Sequence, residues 1–191
     1  MNQIKLAKKF AHAAHDSIKQ KRKYSGEPYW IHTDAVADIV ASVGGTEDMI
    51  VAAHLHDILE DVTPKSPGYS EGQIKVQFGE HVLQLVKELT DKYTKVKYPA
   101  LNRAARHELE NERLANISVE AKTIKLADLI NNTASIVSED KDFAQVYIRE
   151  KLALLPLLAG GNSELLNRAS LQTIASCAAL GINIPTVIGP T

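Results

Sequence analysis

"TEDMIVAAHLHDILED", residues 46–61, is the stretch from which the fold unfolds. Thr46 is a ready N-cap, and Glu47 and Asp48 fall in the first turn, where carboxylates meet the positive end of a helix. "MIVAAHL" is almost wholly apolar and predicts a helix sunk in a core. Charge at the end of such a helix is expensive. "HDILED" nevertheless places His56, Asp57, Glu60 and Asp61 there. If the helix runs on, His56 and Glu60 share one surface, as do Asp57 and Asp61. Carboxylates held close repel unless a proton or cation compensates, and a divalent metal is the economical answer. A His-Asp pair supplies one nitrogen and one oxygen, so further ligands must come from elsewhere in the chain.

Helical spacing continues on both sides. Ile4, Phe10, Ala11, Ala14 and Ile18 recur at helical intervals. "KYSGEPYW" breaks that helix, and a second is expected over residues 31–43, ending at Gly44-Gly45. Beyond the motif, "VTPKSPGYS" reads as a loop. Ser70 with Gln73 reads as a capping box for a short helix ending near Gly79. Further helices are expected over 80–90, 100–116, from Ser118 through "AKTIKLADLINNTASIV", over 142–158 with a stop or kink at Pro156, and over 163–180. Residues 93–99 read as a polar loop and the tail "GINIPTVIGPT" as irregular. Strand patterns and internal repeats are lacking. The expectation is a single all-α domain over 1–191, a compact bundle of about eight to ten helices. Its motif-bearing core covers about residues 5–140, and the last helices complete the bundle.

Composition narrows the function. The 191 residues are 45% hydrophobic and 24% charged, enough for a real core. A net charge of -1 gives no global field for a nucleic acid polymer or an anionic membrane. The single cysteine, Cys177, allows no internal disulfide and no CxxC zinc site, and reads as a small core residue. The N-terminus has no apolar signal region, and no run reaches the roughly 18 apolar residues of a membrane span. A cytoplasmic setting is expected.

Two residues stand out as partners for the His-Asp pair. His32 opens the second helix after a Gly/Pro turn and the aromatic pair Tyr29-Trp30. Asp128 lies among Leu126, Ala127, Leu129 and Ile130, an odd setting for a carboxylate unless it is compensated. Lys125 and Asn132 share its neighbourhood, and pairing with Lys125 is the plainer alternative to a metal. His12, His15, His54, His81 and His107 read as ordinary helix residues.

The order His32, His56-Asp57, Asp128 resembles the H…HD…D signature of HD-domain metal-dependent phosphohydrolases. "YSGEPYWIH", "AAHLHDILED", "FGEHVLQLVKELTDK" and "KLADLINN" are similar to the hydrolase domain of the RelA/SpoT homologues. At this length the chain looks like the stand-alone small alarmone hydrolases. The resemblance implies one Mn2+ held by His32, His56, Asp57 and Asp128. It implies that Glu60 orients or deprotonates the attacking water, and that Asp61 shuttles the proton or fixes a water. The substrate it implies is a nucleotide, guanosine tetra- or pentaphosphate, which loses its 3′-pyrophosphate to give GDP or GTP. Adenosine alarmones, or removal of the 2′-phosphate of NADPH, are the alternatives. Mixed nitrogen and oxygen ligands suit a transition ion over Ca2+ or Mg2+.

Substrate contacts follow from the same resemblance. An Arg-Lys pair precedes SGEPY in the family, and counting back from Ser25 puts Lys23 and Tyr24 there. Lys23 keeps a cation, while Tyr24 could stack on a base. Ser25 is expected at the substrate with them, Asn132 matches a pocket asparagine, and Lys95, Lys97, Arg103 and Arg106 fall where the family binds pyrophosphate. Thr33 stands where the family has Pro, Thr133-Ala134 replaces Met-Arg, and the "TPKSPGYS" loop is longer. These departures leave the metal and acid-base residues whole and bear on which nucleotide is taken.

Overall fold

The structure, a computed structural model, describes residues 2–183. Among these residues the chain forms nine α-helices: α1 (Gln3–Ser17), α2 (Trp30–Ser42), α3 (Glu47–Leu55), α4 (Glu71–Phe78), α5 (Glu80–Leu89), α6 (Arg103–Ala115), α7 (Val119–Glu139), α8 (Lys141–Leu154) and α9 (Ser163–Leu180). No strand occurs among them, in line with the all-α expectation. From residue 184 onward the tail expected to be irregular lies outside the described residues.

α3 is the hub. The Thr46 hydroxyl accepts the Met49 N–H at 3.3 Å, so the expected cap forms. Met49, Val51, Ala52, Ala53, His54 and Leu55 are all buried, as a helix apolar on every side must be. α1, α2 and α5 pack against it. Ala7, Ala11 and Ala14 line α1 at helical intervals and are each 0% exposed; side chains this small let helices approach closely. α7 packs against α2, α3 and α5, and also carries α8 and α9. At Gly45 a Cβ would come within 2.5 Å of Val40 Cγ1, so the turn between α2 and α3 needs glycine for space.

The helix expected to run through "HDILED" is absent. α3 stops at Leu55, Asp57 takes φ −94° and ψ 0°, and Ile58–Val62 forms a π-helical turn. Thr63 closes that turn, its N–H donating to the Ile58 carbonyl at 2.9 Å. Ile58 and Val62 are each 0% exposed. Burying two such side chains contributes about 1.5–3 kcal/mol each, which anchors the wide turn in the core. The turn keeps the Asp61 N–H on the Asp57 carbonyl at 2.9 Å, but Glu60 and Asp61 take different partners, Asp91 and Gln20, in place of one shared helical face.

Other boundaries differ in instructive ways. Ser70 caps α4 by accepting the Gln73 N–H at 3.4 Å, but the Gln73 side chain turns to Gln77 instead of back to Ser70, so only half of the capping box forms. Pro156 ends α8 as expected and starts a 3-10 turn, Leu155–Leu158. Cys177 is buried beside Ile148 and Ile182. Lys151 is 1% exposed. Its Nζ donates to Thr133 Oγ1 at 2.7 Å and to Gln172 Oε1 at 3.1 Å, tying α7, α8 and α9 together through neutral acceptors. Burial pushes this ammonium down to about 8, against the pull of Asp128.

His81, at the start of α5, bridges two other helix starts. Its Nδ1 meets Asp48 Oδ2 at 2.8 Å and its Nε2 meets Glu120 Oε2 at 3.0 Å. The hydrogen bond to Asp48, and then Glu120, raise the imidazole above its ordinary value of 6.5. A raised folded-state value stabilises the fold below the unfolded value and is lost as pH rises through the folded one. Thermal melts should therefore separate wild type from His81→Ala more at pH 5.5 than at pH 9. The difference will be small, because the imidazole is half exposed.

Candidate metal centre and acid-base site

Four ligand groups converge from three parts of the chain. His32 enters from the first turn of α2, His56 and Asp57 from the turn after α3, and Asp128 from the middle of α7. Ligand atoms of His32, His56 and Asp57 all lie within 4.8 Å of one another. Asp128 Oδ1 lies 3.3 Å from His32 Nε2 and 3.9 Å from His56 Nε2. Asp57 Oδ2 lies 3.7 Å and 3.1 Å from the same two nitrogens. Ligand atoms about 2.1 Å from an octahedral ion are about 3 Å apart, so the set is close to closing on one.

The imidazoles are oriented for ligation. His32 Nδ1–H donates to Asn131 Oδ1 at 2.7 Å, and His56 Nδ1–H donates to the Ala53 carbonyl at 2.8 Å. Each ring thereby turns Nε2 toward the carboxylates, the arrangement that metal-binding histidines use. Both Nε2 atoms are buried and lack a hydrogen-bond partner of good geometry. Such orphaned buried nitrogens call for a cation.

The electrostatics agree. Burial alone would push the His56 imidazole down, but Asp57 and then Asp128 outweigh it and raise it to about 9. Burial raises the Asp57 carboxyl, yet His56 holds it well below the usual carboxylate range. Asp128 is likewise held down against burial, here by Lys125, whose Nζ is 3.0 Å from Oδ2. The plain Lys125 pairing and the ligand geometry thus coexist: Oδ2 faces the lysine, and Oδ1 faces the histidines and accepts from Asn132 Nδ2 at 2.6 Å. The residues present fit a divalent ion.

The HD-domain family matches over residues 7–160, most of the chain. The chain belongs to the HD-domain family. Guanosine-3′,5′-bis(diphosphate) 3′-pyrophosphohydrolase of Haemophilus influenzae is 33% identical over 150 residues, which cover 76% of this chain and 21% of that protein. Human MESH1, named as an enzyme of the same activity, is 35% identical over 123 residues, 63% of each chain. A solved structure described as a metazoan orthologue of SpoT that hydrolyses ppGpp superposes with a TM-score of 0.77 at 25% identity, covering 96% of this chain and 98% of that one. The chain thus spans under two thirds of the curated relatives it matches. HD domains bind divalent metal, and the cluster above is where this one would do so.

Around the HD cluster, Glu60 and Asp61 take separate settings. Glu60 Oε2 accepts the Asp91 N–H at 3.0 Å. That loop is pinned by buried Glu110, which accepts the N–H groups of Lys92 and Tyr93 at 3.1 Å each. Burial, then the charges of Asp91 and Asp57, push Glu60 up to about 8. Asp61 Oδ2 instead accepts from Gln20 Nε2 at 2.7 Å. Burial and Asp57 raise its carboxyl, while the Gln20 bond lowers it.

The expected substrate residues divide. Asn132 is at the site, and Arg103 lines the adjoining cavity of about 210 Å³ with Asp128, Asn132, Tyr147 and Lys151. Arg103 is clamped on Glu150 at 2.6 Å. Lys23 and Tyr24 are not at the metal centre: both turn to Asp140, at 3.2 and 3.1 Å. The preceding Arg22 faces inward, donating to Asn132 Oδ1 at 3.2 Å and Ser135 Oγ at 2.9 Å. Within "RKYS" it is therefore Arg22, and not Lys23 or Tyr24, whose side chain points toward Asn132. Ser25 accepts the Glu27 N–H and lines a cleft with Arg22 and Ser135. Arg106 turns to the Leu101 carbonyl, Lys95 is exposed, and Lys97 lines a different cavity with Lys87 and Arg113.

Sequence reasoning missed several residues at the site. Tyr29 Oη donates to Asp57 Oδ2 at 2.7 Å, and burial and Asp57 keep that phenol protonated. Asn131 orients His32, and Glu110 pins the loop that meets Glu60. The doubled asparagine of "LINN" was the available signal, since only one of the pair was assigned. Losing an outer partner of a ligand costs about 10–100-fold in metal affinity. Tyr29→Phe should weaken divalent-metal binding by that order in a calorimetric titration while the fold, read by circular dichroism, stays intact.

Proposed function

We propose that this HD domain uses one Mn2+, held by His32, His56, Asp57 and Asp128, to hydrolyse the 3′-pyrophosphate of guanosine tetra- and pentaphosphate. The observation that carries the proposal is the pair of buried, orphaned Nε2 atoms facing two carboxylates, with a second acid pair one turn on. The activities for which the H. influenzae protein and human MESH1 are named support the same substrate. A bound divalent ion would polarise the phosphoryl group and lower the pKa of water beside it.

The protein's own groups supply the proton steps. Asp61, whose Oδ2 is held as an acceptor by Gln20, takes a proton from the attacking water, the role that the family resemblance gives to Glu60. Glu60, which burial and Asp91 push up to about 8 in the metal-free protein, gives a proton in its acid form to the departing 3′-oxygen. The bond from phosphorus to the 3′-oxygen breaks, and pyrophosphate leaves with the water's oxygen. Arg22, Asn132 and Arg103 border the approach and offer donors to phosphate oxygens.

The test is a Mn2+-supplemented nucleotide panel with product identification. Pyrophosphate and GDP from guanosine tetraphosphate are expected. Inorganic phosphate from NADPH, or turnover of adenosine alarmones alone, would move the chemistry to another nucleotide. An intact guanosine tetraphosphate would refute the proposal.

A further inference from the structure

The connection between α1 and α2 contains an interaction that metal binding does not need. His15 is 0% exposed at the end of α1, and its Nδ1 lies 2.8 Å from Gln20 Oε1. The amide oxygen can only accept, so His15 Nδ1–H is the donor. This orients the amide, and Gln20 Nε2 donates to Asp61 Oδ2 at 2.7 Å. The other ring nitrogen, Nε2, is buried without a hydrogen-bond partner. A histidine kept only to fill the core would be replaced more cheaply by an apolar residue.

The backbone reinforces the arrangement. Gln20 N–H donates to the His15 carbonyl at 3.0 Å, and the Gln20 carbonyl accepts the Tyr29 N–H at 3.1 Å. Lys19, between them, takes φ 52°, a left-handed conformation that residues with a Cβ adopt at a cost and that accumulates near functional sites. That strain turns Gln20 back over the end of α1. Gln20 is thereby held at its N–H, its carbonyl and both ends of its amide. The amide bond is also the side-chain hydrogen bond that Asp61 makes among the described residues.

We infer that His15 and Gln20 are positioning residues for Asp61: by occupying Oδ2 they leave Oδ1 as the oxygen that takes the proton. A group lacking a donor at Gln20 would leave Asp61 free to rotate or to turn toward Lys65, whose charge it feels. The inference rests on the proposed role of Asp61 and assigns that role a support from α1, forty-odd residues earlier in the chain.

A double-mutant cycle on the Mn2+-loaded full chain tests it. Gln20→Met keeps the volume and removes both hydrogen bonds. A hydrogen bond to a charged group is worth about ten- to a hundredfold in rate. Gln20→Met should lower kcat by that order with KM and Mn2+ affinity unchanged, and should have no further effect in the Asp61→Asn background. His15→Phe, which keeps a ring against Tyr29, should show the same non-additivity. An equal loss in both backgrounds would mean a merely structural role and overturn the inference, as would a kcat within twofold of wild type for Gln20→Met. Should Gln20→Met not fold, His15→Phe decides by the same criteria. If Asp61→Asn itself retains full activity, the role of Asp61 fails first, and that result is separate from any behaviour of Gln20.

Discussion

Asp57→Ala is expected to lose the divalent ion and the hydrolytic rate together. Asp57 is the one residue that meets both histidine nitrogens and the Tyr29 hydroxyl with the same oxygen, Oδ2. Alanine removes the negative charge that, with Asp128, calls for a cation between the imidazoles. It also leaves the Tyr29 phenol without its acceptor in a buried setting. The affinity loss should exceed the roughly 100-fold that an outer partner costs. The rate should fall by at least about 10³-fold, since the charge stabilisation at phosphorus goes with the ion. Mn2+ calorimetry and a pyrophosphate-release assay on the same preparation check both numbers. Mn2+ affinity within about threefold of wild type, against the 100-fold loss expected, would take Asp57 out of the ligand set.

Glu60→Gln should behave in the opposite way, keeping the ion and losing turnover. Glu60 makes no contact with the histidines; its carboxylate meets the Asp91 N–H. Glutamine preserves an acceptor oxygen for that bond and removes the titration. Loss of one acid-base group costs about 10²–10⁴ in rate. The pH dependence gives a sharper test. Burial and Asp91 push Glu60 up to about 8, so the protonated form that can act as an acid is lost as pH rises through that value. Wild-type kcat should fall on the alkaline side, and the residual rate of Glu60→Gln should not. A bound divalent cation favours the carboxylate, so the limb of the loaded enzyme lies at or below that pH. The same raised value stabilises the apo fold below the unfolded carboxyl range and is lost as pH rises through about 8. The apo wild type should therefore melt lower at pH 9 than at pH 6, and the difference should shrink in the variant.

The helices were legible because their signals are local. Thr46, Ser118 and Pro156 marked boundaries through caps and a missing N–H, and the structure has caps or breaks at each. That His32 and Asp128 would meet the His56-Asp57 pair was legible because His and Asp in apolar surroundings are conspicuous. The π-helical turn was not, because a one-residue excess in a helix leaves no periodicity to count over only five residues. The approach to the site was partly misplaced for a related reason. Lys23 and Tyr24 were assigned by position in the sequence, which does not tell which of three consecutive side chains turns inward, and here it is Arg22. Gln20, Glu110 and Asn131 act through contacts spanning many residues of chain, and a polar side chain carries no mark of a distant partner.

Because Glu60 and Asp61 lie in a π-helical turn and take different partners, the hexapeptide proposed to hold the acid-base pair is not a portable cassette. Glu60 owes its setting to the Asp91 loop, Asp61 owes its own to Gln20, and the two supports come from opposite sides of the motif in the chain. Transplanting "HDILED" onto another helical scaffold would carry the side chains and leave their tuning behind. A designer seeking this activity elsewhere would have to move three separated segments as one object.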